Sequence, residues 1–205
     1  MCPVKTTFNF EFFSKEYALW SHKNFGAILT AQDGYKYAHQ PLLGIIEELG
    51  ELAEAVKIYN EHKQELMFTT SIDRSITDAV VDAVGDVMIF MSDYCRCMHI
   101  DITYIAESVL INTPNKNIFT ICSKLCREQL KYEQDIRGTK EEHLKRIKQY
   151  LKEIYSILVL TCIDCGLDFD YCMEKTWREV KKRDWTKNKE NGEVEIKILK
   201  TEVKE

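Results

Sequence analysis

Apolar positions recur every three to four residues over most of this chain, the period of helices that bury one face. Between Pro41 and Lys57 that pattern puts Ile45, Leu49, Leu52, Ala53 and Val56 on one stripe, with Glu48 and Glu51 at its edge between Gly44 and Ala55. Between Thr77 and Met91 the circumference is largely apolar, yet Asp78, Asp82, Asp86 and Asp93 fall in one band beside Ala79 and Ala83. The spacing predicts helices over about 11–25, from Pro41 to about 65, and from a Ser75 N-cap to about His99. Asp101 is expected to cap a short helix ending before Asn112-Thr113-Pro114-Asn115, which reads as a linker. Val4 to Phe10 alternates loosely, as a short strand or an extended arm would. Residues 26–38, with Gly26 and Asp33-Gly34, read as a loop placed to act as a lid.

Beyond Pro114 the pattern returns. A constant offset of 67 lays Cys95, Asp101, Tyr104 and Glu107 over Cys162, Asp168, Tyr171 and Glu174, with Ile100 opposite Leu167. A different offset lays Leu42 to Glu54 over Ile118 to Leu130 and puts Ser123, Lys124 and Arg127 where Glu47, Glu48 and Glu51 stand. The expected architecture is therefore all-α: one helical-bundle domain over 1–205, built as a fused degenerate repeat with short extended terminal arms. Residues 1–113 would be the catalytic half, 114–190 the half that kept the helices and lost the acids, and 191–205 a charged tail. Leu125, Ile154, Leu158 and Phe169 are expected in the core of the second half.

The acids carry the chemistry. Like charges three and four residues apart on a helix repel by a few tenths of a kcal/mol per pair, and aligned carboxylates beside a buried face need partners. A hard divalent cation supplies one, and the small neighbours Gly44, Ala55, Ala79 and Ala83 leave room for it. None of the five histidines has a glutamate three residues before it, so the Glu-x-x-His pattern of di-iron bundles is absent. An oxygen-only donor set selects Mg²⁺ or Mn²⁺. No glycine-rich phosphate loop and no nucleophile motif is present, which removes support for a covalent intermediate.

Composition narrows the class. With 205 residues, 45% apolar and 30% charged, three prolines and eight glycines, the chain suits long helices. A net charge of −5 argues against a general nucleic-acid binder. The chain has no long uncharged apolar run, and Glu11 and Lys15 stand where a signal peptide would be apolar, so no membrane and a cytoplasmic location are expected. The eight cysteines sit mostly inside apolar helical patterns and read as free, buried thiols rather than disulfides or a zinc site.

Glu47-Glu48-x-x-Glu51, followed by a helix bearing Asp82-Ala83-Val84-Gly85-Asp86, resembles the all-α MazG-like nucleoside triphosphate pyrophosphohydrolases, relatives of the dimeric dUTPases. Trp20-Ser21-His22-Lys23-Asn24-Phe25 and Lys182-Arg183-Asp184-Trp185 look like the phage-type branch of that family. The family pattern is EExxE, a spacer, then ExxD; here Ala83 stands where the second glutamate would be, and Asp82 is its nearest substitute. The resemblance implies a Mg²⁺-dependent hydrolase, Mn²⁺ being an alternative ion, that converts a nucleoside triphosphate to a monophosphate and pyrophosphate, with a homodimer as an assembly it allows. It implies Glu48, Glu51, Asp82 and Asp86 as metal ligands, Glu47 and Glu48 as catalytic carboxylates, and Trp20, Asn24, Arg183 and Lys187 as substrate-binding residues. The rival expectation is a non-enzymatic helical interaction or scaffold protein whose acids only solvate a face.

Overall fold

The computed structural model describes residues 6–26, 34–65, 73–107 and 117–190. Its elements are α1 (Phe10–Phe25), a 3-10 turn (Gly34–Tyr37), α2 (His39–Glu65), α3 (Arg74–Cys97), α4 (Ile102–Ala106), α5 (Ile118–Gln134), α6 (Lys140–Asp164) and α7 (Phe169–Val180), with no strand among the described residues. The all-α expectation holds. The strand option for Val4–Phe10 fails over residues 6–9, which are irregular, because Asn9 already caps α1 by accepting the Phe12 N–H at 2.9 Å. Residues 4–5, most of the expected lid (27–33), the linker at 112–115 and the tail at 191–205 lie outside the described residues.

Capping decides the helix starts, and one differs from expectation. Asp73, not Ser75, begins α3: its carboxylate accepts the Ser75 N–H at 2.9 Å, so Ser75 is inside the helix. Asp101 caps α4 as expected, through the Thr103 N–H. Thr139 and Glu142 form a reciprocal capping box at the start of α6.

The two corners related by the offset of 67 are built alike. At the first, Ile100 N–H donates to Cys95 O at 2.8 Å, His99 takes a left-handed φ of 54°, and Asp101 caps the next helix. At the second, Leu167 N–H donates to Cys162 O at 2.8 Å, Gly166 takes φ 68°, and Asp168 caps α7. Packing crosses between the two halves of the chain: α2 lies on α3 and α5 on α6, while α7 packs on α3 and α4 on α6. Leu125, Ile154, Leu158 and Phe169 are buried in one continuous apolar core that draws on every α-helix.

Two glycines set how close the helices come. A Cβ on Gly44 would stand 2.4 Å from the Phe90 ring, so its absence lets α2 rest on α3. A Cβ on Gly85 would stand 2.1 Å from Thr176 Oγ1, so its absence admits α7 to α3. Trp177 of α7 then meets Phe13 edge to face, with centroids 5.2 Å apart, and its indole N–H donates to Glu16 at 2.8 Å. This joins α1 to the same stack. Among the described residues no helix is long and apolar enough to cross a membrane.

Candidate functional site

The close approach of α2 and α3 at Gly44 and Phe90 brings the two acidic seams together. Glu48 is pushed up to about 8, first by burial, then by the charges of Asp86, Glu47, Glu51 and Asp82. Asp86 rises to about 7 through burial and Asp82, with Arg183 opposing and Glu51 and Glu47 adding. Each expected ligand thus lies within electrostatic reach of the others. Ala83 is buried, while Asp82 is exposed and its charge acts on both Glu48 and Asp86.

Partnering separates the four aspartates of α3. The outer two are neutralised: Asp78 by Lys175 at 2.6 Å, and Asp93 by Arg96 at 2.6 Å. Asp82 and Asp86, and with them Glu47, Glu48 and Glu51, have no hydrogen bond or ion pair to any described residue. These five carboxylates therefore repel one another with no contacting cation among the described residues. They stand apart rather than converged, and among the described residues no group of three or more His, Cys, Asp or Glu side chains is drawn in tightly enough to hold a metal ion. The donor chemistry, oxygen alone, remains that of a hard divalent cation.

The expected substrate-binding residues form a second assembly. Trp20 donates its indole N–H to Arg183 O at 3.1 Å, and Asn24 donates to Trp20 O at 2.9 Å while accepting the Trp185 N–H at 2.7 Å. The polar atoms of Trp20 and Asn24 are thus used in holding residues 183–185 against α1. Asp184, 3% exposed, is the hub of that hold: it accepts from Thr186 and from Lys23 at 2.9 Å, bonds that bring it down to about 2, and pairs with Lys187 at 3.7 Å. Arg183 is what this segment delivers, since its charge is felt at Asp86. Lys187 is anchored to Asp184 and stands one turn away.

Sequence reasoning missed the role of Asp184, because nothing in a Lys-Arg-Asp-Trp string shows that its aspartate is buried. It also missed a buried cluster in the second half. Glu128 takes hydrogen bonds from Lys131 at 2.6 Å and Arg146 at 2.7 Å, and lies 2.7 Å from His143, which is fully buried. Burial alone would raise Glu128, but these three partners hold it at about 2. Lys124 and Arg127, opposite Glu48 and Glu51 in the repeat alignment, are exposed on α5. The seven described cysteines are free, and six of them are buried. No family model, no curated protein and no solved structure matches this chain.

Proposed function

We propose that the chain is a Mg²⁺-dependent nucleoside triphosphate pyrophosphohydrolase of MazG-like type. The observation that carries this reading is the set of five carboxylates on α2 and α3 without a partner among the described residues, two of them raised toward neutrality, with Arg183 held near enough for its charge to act on Asp86. Acids that repel one another without a contacting counter-charge among the described residues mark a candidate functional site, since a divalent cation would relieve that repulsion. Glu48, Glu51, Asp82 and Asp86 would hold Mg²⁺, or Mn²⁺. The bound ion would neutralise charge on phosphate oxygens as the phosphorus centre reacts. Arg183 supplies a guanidinium for a phosphate oxygen on the same side. Glu47, exposed at the edge of the cluster, orients the attacking water and accepts its proton at a carboxylate oxygen. Attack at the α-phosphorus, releasing a monophosphate and pyrophosphate, is the outcome carried over from the family resemblance.

The test is pyrophosphate release from a panel of nucleoside triphosphates, with and without Mg²⁺. Glu48→Gln or Glu51→Gln should lower turnover by about 10²-fold or more, as loss of a charge-stabilising group at a reacting centre does. Asp82→Asn and Asp86→Asn should weaken Mg²⁺ binding in calorimetry, whereas Asp78→Asn, already paired with Lys175, should leave it unchanged. Full activity in both glutamate variants would overturn the reading. Absence of any hydrolysis would leave the helical scaffold as the function.

A further inference from the structure

A cavity of about 870 Å³ opens along α6, lined by Tyr104, Leu144, Lys145, Lys148, Gln149 and Lys152, with Arg146 beside them. That is the size of a small-ligand site. Lys145, Lys148 and Lys152 follow one another at spacings of three and four residues, so they share one face of α6 and span about 10.5 Å of its axis. The two acids in the wall, Glu141 and Glu142, belong to the first turn of α6, and Glu142 is occupied with the Thr139 N–H. On a chain of net charge −5 this wall is a local reversal of sign.

Tertiary packing places two of these lysines. α4 rests on α6 and brings Tyr104 to the stripe, where Lys152 Nζ lies 3.5 Å and Lys148 Nζ 5.8 Å from the ring centre. A ring face attracts the charge without supplying an oxygen acceptor. Lys148 and Lys152 are half-buried, and none of the three lysines makes an ion pair or a hydrogen bond with a described residue. Arg146, by contrast, turns its Nε to Glu128 at 2.7 Å and its Nη2 to His143 at 2.8 Å. Like charges at the spacings of the three lysines repel, and a cleft walled by one sign of charge focuses its field on what enters.

We propose that this cavity is an anion site, separate from the acidic seam, that takes a chain of linked phosphates. Three ammoniums in a row, each a compact charge with three rotatable donors, match a linear polyanion whose charges repeat along its length. Phosphate chains come from two sources, a nucleoside triphosphate and inorganic polyphosphate, and the lysines meet the phosphates that both share. The wall supplies the counter-charge itself, so the ligand binds here without a metal ion. The seam of α2 and α3 would repel the same anion unless a cation were bound first. Lys145, Lys148 and Lys152 are the binding residues, and Tyr104 is a positioning residue for the last two.

Calorimetry on the full chain in metal-free buffer, with inorganic tripolyphosphate as the probe, tests the assignment. One site per chain is expected, weakened about tenfold by Lys148→Gln and by Lys152→Gln, the scale of one lost charge-assisted hydrogen bond. Lys145→Gln, exposed and clear of Tyr104, should act the same way and decides the matter if a change at the ring unsettles the fold. Lys124→Gln, which removes an exposed charge from α5, should leave the affinity unchanged. ATP in the same buffer names the source: affinity above that of tripolyphosphate points to a nucleotide, and equal or lower affinity to inorganic polyphosphate. No binding of tripolyphosphate, no weakening by the three variants at the cavity, or equal weakening by Lys124→Gln would overturn the site. So would a single-stranded oligonucleotide that binds where tripolyphosphate does not. Neither Mg²⁺ nor turnover enters the measurement, so its outcome is independent of the hydrolase reading.

Discussion

Glu48 and Asp86 show how a single residue's surroundings set its behaviour. Both bind a proton more tightly folded than unfolded, since their ordinary values of 4.5 and 3.8 rise to about 8 and about 7. Protonation therefore favours the fold, and that stability is full below the ordinary values, declines as pH rises above them and is gone once pH passes 7 to 8. Glu128 and Asp184 act in the opposite sense. Held at about 2, each favours the fold when ionised, and that contribution disappears as pH falls from the ordinary carboxylate range toward 2. The metal-free protein should accordingly be most stable at about pH 4 to 5, where Glu48 and Asp86 are still protonated in the fold and Glu128 and Asp184 are already ionised. Glu48→Gln keeps the shape of the protonated acid, so thermal melts at pH 8.5 should place this variant above the parent by on the order of 1 kcal/mol or less, the site being partly solvated. Added Mg²⁺ should raise the parent at that pH and the variant much less. Identical melting profiles across pH would mean that the acids do not sense one another.

At the scale of the element, α7 is held by its fit to α3. Gly85 leaves a bare patch of α3 backbone under Thr176, and the Lys175–Asp78 ion pair lies beside it. Gly85→Ala would place a methyl carbon 2.1 Å from Thr176 Oγ1, and Thr176 is buried with nowhere to turn. Denaturant titration should show a loss of about 1–3 kcal/mol, the usual effect of overpacking. Pairing it with Thr176→Ala should recover part of that loss, because the two changes touch one contact. Since α7 leads directly into residues 183–185, the single variant should also bind triphosphate more weakly. A Gly85→Ala protein as stable as the parent would show that α7 does not rest on α3 there.

Among the described residues, packing joins the two halves of the chain, α7 lying on α3 and α4 on α6. We propose that the whole molecule is a fused, degenerate repeat with one metal site per chain. Lys124 and Arg127 occupy the α5 positions opposite Glu48 and Glu51, and cations there repel a divalent ion over the same few ångströms at which carboxylates attract it. Calorimetry with Mg²⁺ and a non-hydrolysable triphosphate should count one site per polypeptide. Two equivalent sites would overturn the degenerate repeat. A chain cut at Pro114 loses α6 from under α4 and α7 from over α3, so residues 1–113 should be insoluble or self-associated; a soluble monomeric fragment would overturn the fused bundle.

Local rules reach a long way into this protein. Helical periodicity depends on neighbours three and four residues apart, so the stripe of Ile45, Leu49 and Leu52, the band of aspartates on α3, the cap at Asp101 and the burial of Leu125, Ile154 and Leu158 were all legible in the sequence. Even the choice between Ser75 and Asp73 as a cap was a contest between two local acceptors. Which acids are free was not legible. Asp78 and Asp86 stand on the same stripe, and they differ because Lys175, 97 positions from Asp78, comes to rest on one and not the other. Asp184 is buried because Lys23, 161 positions away, lies over it, and Trp20 and Asn24 are drawn into the same hold. Those pairings follow from where helices dock, which Gly44 under Phe90 and Gly85 under Thr176 determine through contact between distant segments. The sequence alone set which side chains each helix presents on each face; the tertiary structure decided which of them meet a counter-charge, because Coulomb energy depends on separation in space and not along the chain.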